Sequence, residues 1–530
     1  MKKSTAGIVT IGIIFLLFIF GGRSFFDIVW SFPGNFESIK EFPSKDLPLG
    51  SIPLILALLL GTGIFITVKN FFPQFRYFWH GIKVTAGVYD DPKDAGDLSH
   101  FKALSTAISA TVGIGNIAGV ATAIYYGGPG ALFWMWISAI FGTSLKFAEC
   151  SLAHKYRDIL PDGSVAGGPM YTIEKGLGKN FKWLAILFAS FAVICSFATG
   201  NAIQSFTLSD QLYSEYSQIA GTTSFWTLKH EIFSGFSVSV SQILNGIFIS
   251  TVVGSVIIGG IKRIGNVTSI LSPFMAVFYF VTAMVVVISN LPQLFPSLGM
   301  IIQMAFNPPA QIAGVSGGAF LVILNTALWG IKRGLYSNES GQGSAPIAHS
   351  TAKTKYGVRE GTVALLEPFI DTIIICTLTG LVIIITGAWH HTQYYKLMNP
   401  EYDGELLNAS LLTAFAFKQG LSWLFDYGDK IVTIGVFLFS ISTIISWSYY
   451  GDRATHYLFG EKAIIYYKWV FVVFVFIGAV AELEAIWAFG DAALGFMTAP
   501  NLLSIILLSG VLKKDVKEYF SIKHIPFKKR

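Results

Sequence analysis

Ser109-Ala110-Thr111-Val112-Gly113-Ile114-Gly115-Asn116-Ile117-Ala118-Gly119 stands near the middle of an apolar stretch, residues 102–126, long enough to cross a bilayer. Glycines and polar groups in that number free backbone N–H and C=O groups that lipid cannot satisfy. The sequence therefore predicts an interrupted transmembrane helix. A second stretch, 311–331, carries Gly314-Val315-Ser316-Gly317-Gly318 in its outer half, with Asn325 and Thr326 after it, and is expected to break there. Four apolar stretches separate the two, and four follow the second. Five spans plus five, each set led by a broken one, is the pattern of an inverted repeat, because an odd number of spans turns the second half over.

Composition points the same way. Of 530 residues, 53% are hydrophobic and only 13% charged, against about 25% charged in a soluble domain. This excludes a soluble enzyme, a nucleic-acid binder and a disordered scaffold, and leaves an all-α polytopic membrane protein of 11–12 transmembrane helices. The apolar stretches lie at about 7–22, 50–70, 102–126, 130–150, 183–205, 238–260, 267–289, 311–331, 364–387, 431–450, 464–489 and 492–511. The first follows Lys2 and Lys3, but Gly21-Gly22-Arg23-Ser24 offers no A-x-A cleavage site, so it reads as a retained helix rather than a cleaved signal. The expected organisation is an N-terminal helix and external linker over 1–49, and a peripheral helix with a cytoplasmic connection over 50–101. Five-helix repeats follow over 102–310 and 311–512, then a basic tail over 513–530.

Placing the 69–102 connection in the cytoplasm puts 26 of the 37 Lys and Arg in cytoplasmic segments and 7 in external ones. The positive-inside rule then sets both termini in the cytoplasm of a plasma or inner membrane. The tail from Lys513 is expected to touch anionic lipid. Cys150, Cys195 and Cys376 form no paired spacing and read as small core residues. His390 and His391 fall in the external 388–430 segment, which reads as an interfacial loop.

Gly113 to Ala118 also matches G-x-G-x-x-A, but in mid-span and with no acidic residue about 20 positions on, so it is no dinucleotide site. The P-loop string is missing too, so transport, if that is the function, must draw on a gradient. A membrane-embedded transferase is disfavoured because no cluster of His, Asp or metal ligands converges at one depth. No acidic residue lies beside the Gly-x-Gly-Asn string in the sequence. That favours a substrate whose carboxylate meets backbone N–H groups around Gly115, Asn116 and Ile117 at a helix N-terminus. Gly113 and Gly115 permit close backbone approach, and Asn116 can bond the break or the ligand. Trp134, Trp136 and Trp447 are candidate pocket walls. Glu367 and Asp371 share a helix face and are expected to pair with Lys353, Lys355 or Arg359, a proton relay being the alternative. Lys146 and Glu149 are expected to snorkel from a helix end.

The run Ala110 to Ile124, followed by Gly127-Gly-Pro-Gly-Ala-Leu-Phe-Trp-Met-Trp136, resembles the signature of the alanine or glycine:cation symporter family. Gly167-Gly-Pro-Met-Tyr171, Gly200-Asn-Ala-Ile-Gln204, Ser337-Asn-Glu339, Gly343-Ser-Ala-Pro-Ile-Ala-His349, Asp371-Thr372, Ser442-Thr443 and Trp447-Ser-Tyr-Tyr-Gly451 agree. The resemblance implies a LeuT-type fold of the APC superfamily and sodium-coupled uptake of a small neutral amino acid such as alanine or glycine. It also brings Gln204 to the pocket. Ile114, Ser205-Phe206, Ser340 and Gln342 depart from the family pattern. Sodium wants oxygen ligands, which an unwound helix supplies as carbonyls. The candidates are the carbonyls of Ala110 and Gly113 and, on the tenth span, the hydroxyls of Ser442 and Thr443, since the resembling family holds sodium between these two helices. Ser440 and Ser446 are expected to bond back to their own helix. The implied partners are the amino acid, sodium and the lipid bilayer, with no cofactor and no nucleic acid.

Overall fold

The computed structural model describes residues 54–160, 164–233, 236–309, 318–481 and 484–527. The expected first span and residues 314–317 of the second expected break lie outside these. Among the described residues, eight helices are long and apolar enough to cross a membrane. A ninth crossing is the pair His100–Thr111 and Gly115–Gly127, bent by 53°. The chain is a multi-pass membrane protein.

The third span breaks where its sequence predicts. Ser99 caps the first half by accepting the Lys102 N–H at 3.3 Å. The helix stops at Val112, which turns extended (φ −74°, ψ 92°). Asn116 then folds back, and its Oδ1 accepts the Gly113 N–H at 2.9 Å, replacing the carbonyl that a continuous helix would have offered. The second half opens as a π-helical turn, Gly115–Gly119, and continues as Val120–Gly127.

The eighth span is also broken: the expected break at 314–318 falls largely outside the described residues, and a break is seen further along. Ala319–Asn338 is one helix and Ala345–His349 a short second one. Between them Glu339, Gly341 and Gly343 all have positive φ (52°, 78° and 88°), which no helix continues through. Two side chains satisfy what the break frees: Gln342 Nε2 donates to the Leu335 carbonyl at 3.0 Å, and Asn338 Oδ1 accepts the Ser340 N–H at 3.1 Å. The break sits in a stretch that hydropathy assigns to a connection, because Lys332 and Arg333 in the helix before it lower the apolar signal.

Other connections are more structured than their polarity suggests. Residues 291–306 form an amphipathic helix, Leu291–Phe306. The 388–430 segment contains the helices Gln393–Met398 and Ala409–Leu421, and Thr413 on the latter donates to the Ile117 carbonyl at 3.1 Å. Trp389 and Tyr395 flank His390, while Tyr402 reaches His391 Nδ1 at 2.8 Å. The basic tail is no free arm: Glu484–Ser521 is one helix, and Phe520 stacks on Tyr77 at 3.9 Å between ring centres. The three cysteines are buried, and none forms a disulfide among the described residues.

Candidate functional site

The two breaks meet. A methyl group added at Gly115 would lie 3.4 Å from Ser337 Cα and 3.5 Å from the Tyr336 ring, so the third span crosses the eighth at the position where each loses its helix. A small buried cavity lies there, lined by Ala110, Gly113, Ile114, Gly115, Gln204 and Glu339 together with Thr199, Tyr336, Thr443 and Trp447. About 20 Å³ of it is open to the centre of a water molecule, which is room for about one water.

Three π-helical turns surround this point: Gly115–Gly119, Ala198–Ala202 and Phe369–Cys376. Such turns insert a residue into the helix and re-aim its side chains, and they concentrate at functional sites. The second brings Thr199 to the cavity and sets Gly200 against Trp447, where an added Cβ would fall 2.4 Å from the indole Cγ. Thr199 Oγ1 and Gln204 Oε1 are buried with no hydrogen-bond partner among the described residues.

Of the expected contacts, Gly113, Gly115, Gln204 and Trp447 line the cavity, whereas Asn116 and Ile117 do not. Asn116 is spent on the framework. Besides the Gly113 N–H, its Nδ2 donates to Asp371 Oδ1 at 2.6 Å and to the Asp371 carbonyl at 3.1 Å. Ile117 turns instead towards the tenth span, its Cδ1 3.2 Å from where a Cβ on Gly435 would sit. Trp134 and Trp136 bond the Ala305 carbonyl and Thr377 Oγ1, outside the cavity.

The expectation of no carboxylate near the break is overturned. Glu339, remote in sequence, lines the cavity, where Trp447 Nε1 donates to its Oε1 at 3.2 Å and Ser344 Oγ to its Oε2 at 2.5 Å. Asp371 lies behind, holding Asn116, Ser337 Oγ (2.8 Å) and Thr372 Oγ1 (2.7 Å). Neither Glu367 nor Asp371 meets Lys353, Lys355 or Arg359. Glu367 pairs with Lys146 at 3.3 Å, both fully buried, so Lys146 does not snorkel. Glu149 is likewise internal, accepting from Asn501 Nδ2 at 2.8 Å and the Gly341 N–H at 3.3 Å.

On the tenth-span side of the third-span break, hydroxyls and carbonyls gather. Thr443 Oγ1 lies 3.3 Å from the carbonyl oxygens of both Ser109 and Ala110. Ser442 Oγ lies 3.2 Å from the Ser109 carbonyl, and Ser109 Oγ donates to the Ser442 carbonyl at 3.1 Å. Oxygens at this spacing are neighbours around a hard cation held at about 2.3–2.6 Å. The Ser109 carbonyl is the member that sequence reasoning omits. Gly113 touches the group from the other side, since a Cβ there would fall 2.8 Å from Thr443 Oγ1. Ser440 and Ser446 do not bond back to their helix: their buried hydroxyls have no partner among the described residues.

The profile of the sodium:alanine symporter family matches residues 44–528. The chain belongs to this family. Within it, the sodium/alanine symporter AgcS of Methanococcus maripaludis is 40% identical over 89% of this chain and 95% of its own length. A Bacillus subtilis relative named as a probable sodium/glutamine symporter, GlnT, is 32% identical over 88% of this chain and 87% of its own. Among solved structures, MhsT in complex with L-phenylalanine superimposes with a TM-score of 0.52 at 13% identity, covering 81% of this chain and 93% of MhsT. The fold is thus the LeuT type, with the third and eighth spans interrupted. Membership of the sodium:alanine symporter family makes the chain a sodium-coupled amino-acid symporter and not an enzyme.

Proposed function

We propose that the chain takes up a small neutral amino acid, alanine or glycine, with sodium by alternating access, and that the cavity between the two breaks is the substrate site. The observation that carries this reading is that the start of a half-helix and a buried carboxylate, Glu339, line the same cavity. The N–H groups of Ile114 and Gly115 open a half-helix and favour a carboxylate. Glu339 and the unpartnered Gln204 Oε1 suit an ammonium on the other side. A neutral zwitterion fits both, while a cationic side chain would need a further carboxylate. Size supports the small end of the class: Trp447 and Tyr336 wall a space with room for about one water, so even alanine requires those walls to give. Sodium would be held by Ser442, Thr443 and the carbonyls of Ser109 and Ala110, with Gly113 beside them.

The sequence organisation into repeats over 102–310 and 311–512 agrees with this scheme. Orientation rests on charge: removing Lys332 and Arg333, which lie within the eighth span, from the cytoplasmic count of Lys and Arg leaves its excess intact. The C-terminus is accordingly proposed to be cytoplasmic, in the plasma or inner membrane. Labelled alanine uptake into proteoliposomes under an imposed sodium, proton or null gradient tests the function. Uptake that proceeds equally well without sodium under a proton gradient would refute sodium coupling.

A further inference from the structure

The outer halves of the two broken spans lie along one another, Gly115–Gly127 from the third and Ala319–Asn338 from the eighth. Three glycines mark their seam and show that it runs antiparallel. A Cβ on Gly127 would lie 3.1 Å from Trp329 Cβ, one on Gly119 3.9 Å from Arg333 Cδ, and one on Gly115 3.5 Å from the Tyr336 ring. Residues 329, 333 and 336 share one face of their helix. Arg333 therefore stands one turn outward from Tyr336, which walls the cavity, and one turn inward from Trp329. Tyr126 stacks on Trp329 at 4.5 Å between ring centres, at the outer end of the same seam.

Arg333 is a cation without a counterion. Its guanidinium lies 5.6 Å from the Trp329 ring centre and 5.9 Å from that of Tyr336. It pairs with no carboxylate among the described residues, and its Nε is buried with no hydrogen-bond partner among them. Other arginines of this protein are spent. Arg453 pairs with Asp452 at 2.6 Å, Arg359 donates to the Tyr89 carbonyl and the Tyr519 hydroxyl, and Arg157 donates to four backbone carbonyls. Lys332 adds a second positive charge beside the Trp329 ring, at 5.4 Å. Ring faces alone repay little of what it costs to desolvate a guanidinium inside a span. Ionisable groups at this depth face the bundle interior or a watered path and mark the route of a substrate. Stacking also fixes the plane of the guanidinium and leaves its N–H fork unspent, which is the geometry that receives a carboxylate through two parallel hydrogen bonds.

We propose that Arg333 is an outer waiting site for the substrate carboxylate, holding the amino acid one helical turn above the cavity before the breaks admit it. This deepens the reading of the cavity as the substrate site and rests on it. Glu339 lies six residues further inward on the same span, so an amino acid held by its carboxylate at Arg333 presents its ammonium to the cavity. An inward step of one turn, about 5.4 Å, passes the carboxylate from the guanidinium to the N–H groups of Ile114 and Gly115. The same step brings the ammonium to Glu339. Gly119 and Gly115 present no side chain along that step, so the third-span backbone stays open to the moving carboxylate. The outer site thus selects for a carboxylate, whatever the side chain, and the cavity then selects for size.

The test uses the full-length protein in proteoliposomes. Sodium-driven alanine uptake by the wild type tests the transport reading, and the Arg333 variants test the outer site. In Arg333→Gln, kcat/KM for alanine should fall about 10-fold or more, with most of the loss in KM. Arg333→Lys, which keeps the charge but not the fork, should fall between the two. Arg333→Cys should lose as much as the glutamine variant. Treatment with 2-aminoethyl methanethiosulfonate restores a cation there and should recover about half or more of the lost kcat/KM, while the uncharged methyl reagent should recover none. The three native cysteines are buried, and wild type treated alike is the control. A kcat/KM within twofold of wild type in Arg333→Gln would overturn the proposal. Equal recovery by both reagents would overturn it too, since bulk rather than charge would then be what the site needs.

Discussion

Replacing Thr443 by alanine removes one oxygen from the proposed sodium site and little else. Its Oγ1 lies 3.3 Å from the carbonyls of Ser109 and Ala110, so the variant leaves those carbonyls in place and deletes the ligand that faces them from the tenth span. A hydrogen-bonding group that meets a charge contributes about 1.5–3 kcal/mol, and each 1.4 kcal/mol is tenfold in binding. The sodium concentration for half-maximal uptake should therefore rise roughly 10- to 100-fold, with the rate at saturating sodium within threefold of wild type. Gly113→Ala should imitate this, because its Cβ would fall 2.8 Å from the same hydroxyl and push it aside. The two changes should then be less than additive in the double variant. Ser446→Ala is the control: its hydroxyl has no partner among the described residues, and its sodium requirement should match wild type. Sodium titration of initial uptake rates in proteoliposomes gives each of these values and that of Ser442→Ala. If Thr443→Ala and Ser442→Ala both stay within twofold of wild type, sodium binds elsewhere.

Glu339→Gln keeps the shape that Trp447 and Ser344 hold but deletes the charge proposed to meet the ammonium. Apparent affinity for alanine should fall about 10- to 100-fold with a far smaller change in sodium requirement, and equal shifts in both would remove Glu339 from the substrate site. Lys146→Met leaves Glu367 buried without its cation, a loss of about 3–5 kcal/mol. It should lower the melting temperature in detergent, and adding Glu367→Leu should recover most of it; a melting temperature unchanged by the single variant would contradict the pairing. His80 bonds the Tyr519 hydroxyl at 2.8 Å, and burial together with His524, Arg359 and Lys83 lowers it from 6.5 to about 4. A histidine so lowered favours the docked helix end above about pH 6.5, and that contribution is lost as pH falls towards 4. Amide protection over 519–527, corrected for the intrinsic exchange rate at each pH, should then fall on acidification in wild type and not in His80→Phe, and identical pH responses would separate His80 from the docking.

How far the sequence reached is plain from the two breaks. The third-span break was legible because Gly113, Gly115 and Asn116 lie inside one long apolar run, where lipid gives freed backbone groups no partner. The hydroxyl pair Ser442-Thr443 was legible through its resemblance to a known pattern. The break seen at Glu339–Gly343 in the eighth span was not read from the sequence, because its strained backbone falls after two basic residues and its sharpest signal is a left-handed glutamate that no composition rule marks. Asn116 shows the same limit at one side chain: its type announces a polar role, but only its distance from Gly113 and Asp371 decides between ligand and framework. Spacing along one chain fixes periodicity and charge bias, so the membrane class, the fold class and the first break follow from sequence alone. Which charges neutralise one another is a matter of contacts between distant segments. Lys146 and Glu367, or Glu339 and Trp447, become partners only when four or five helices pack, and the low dielectric between them makes that pairing obligatory.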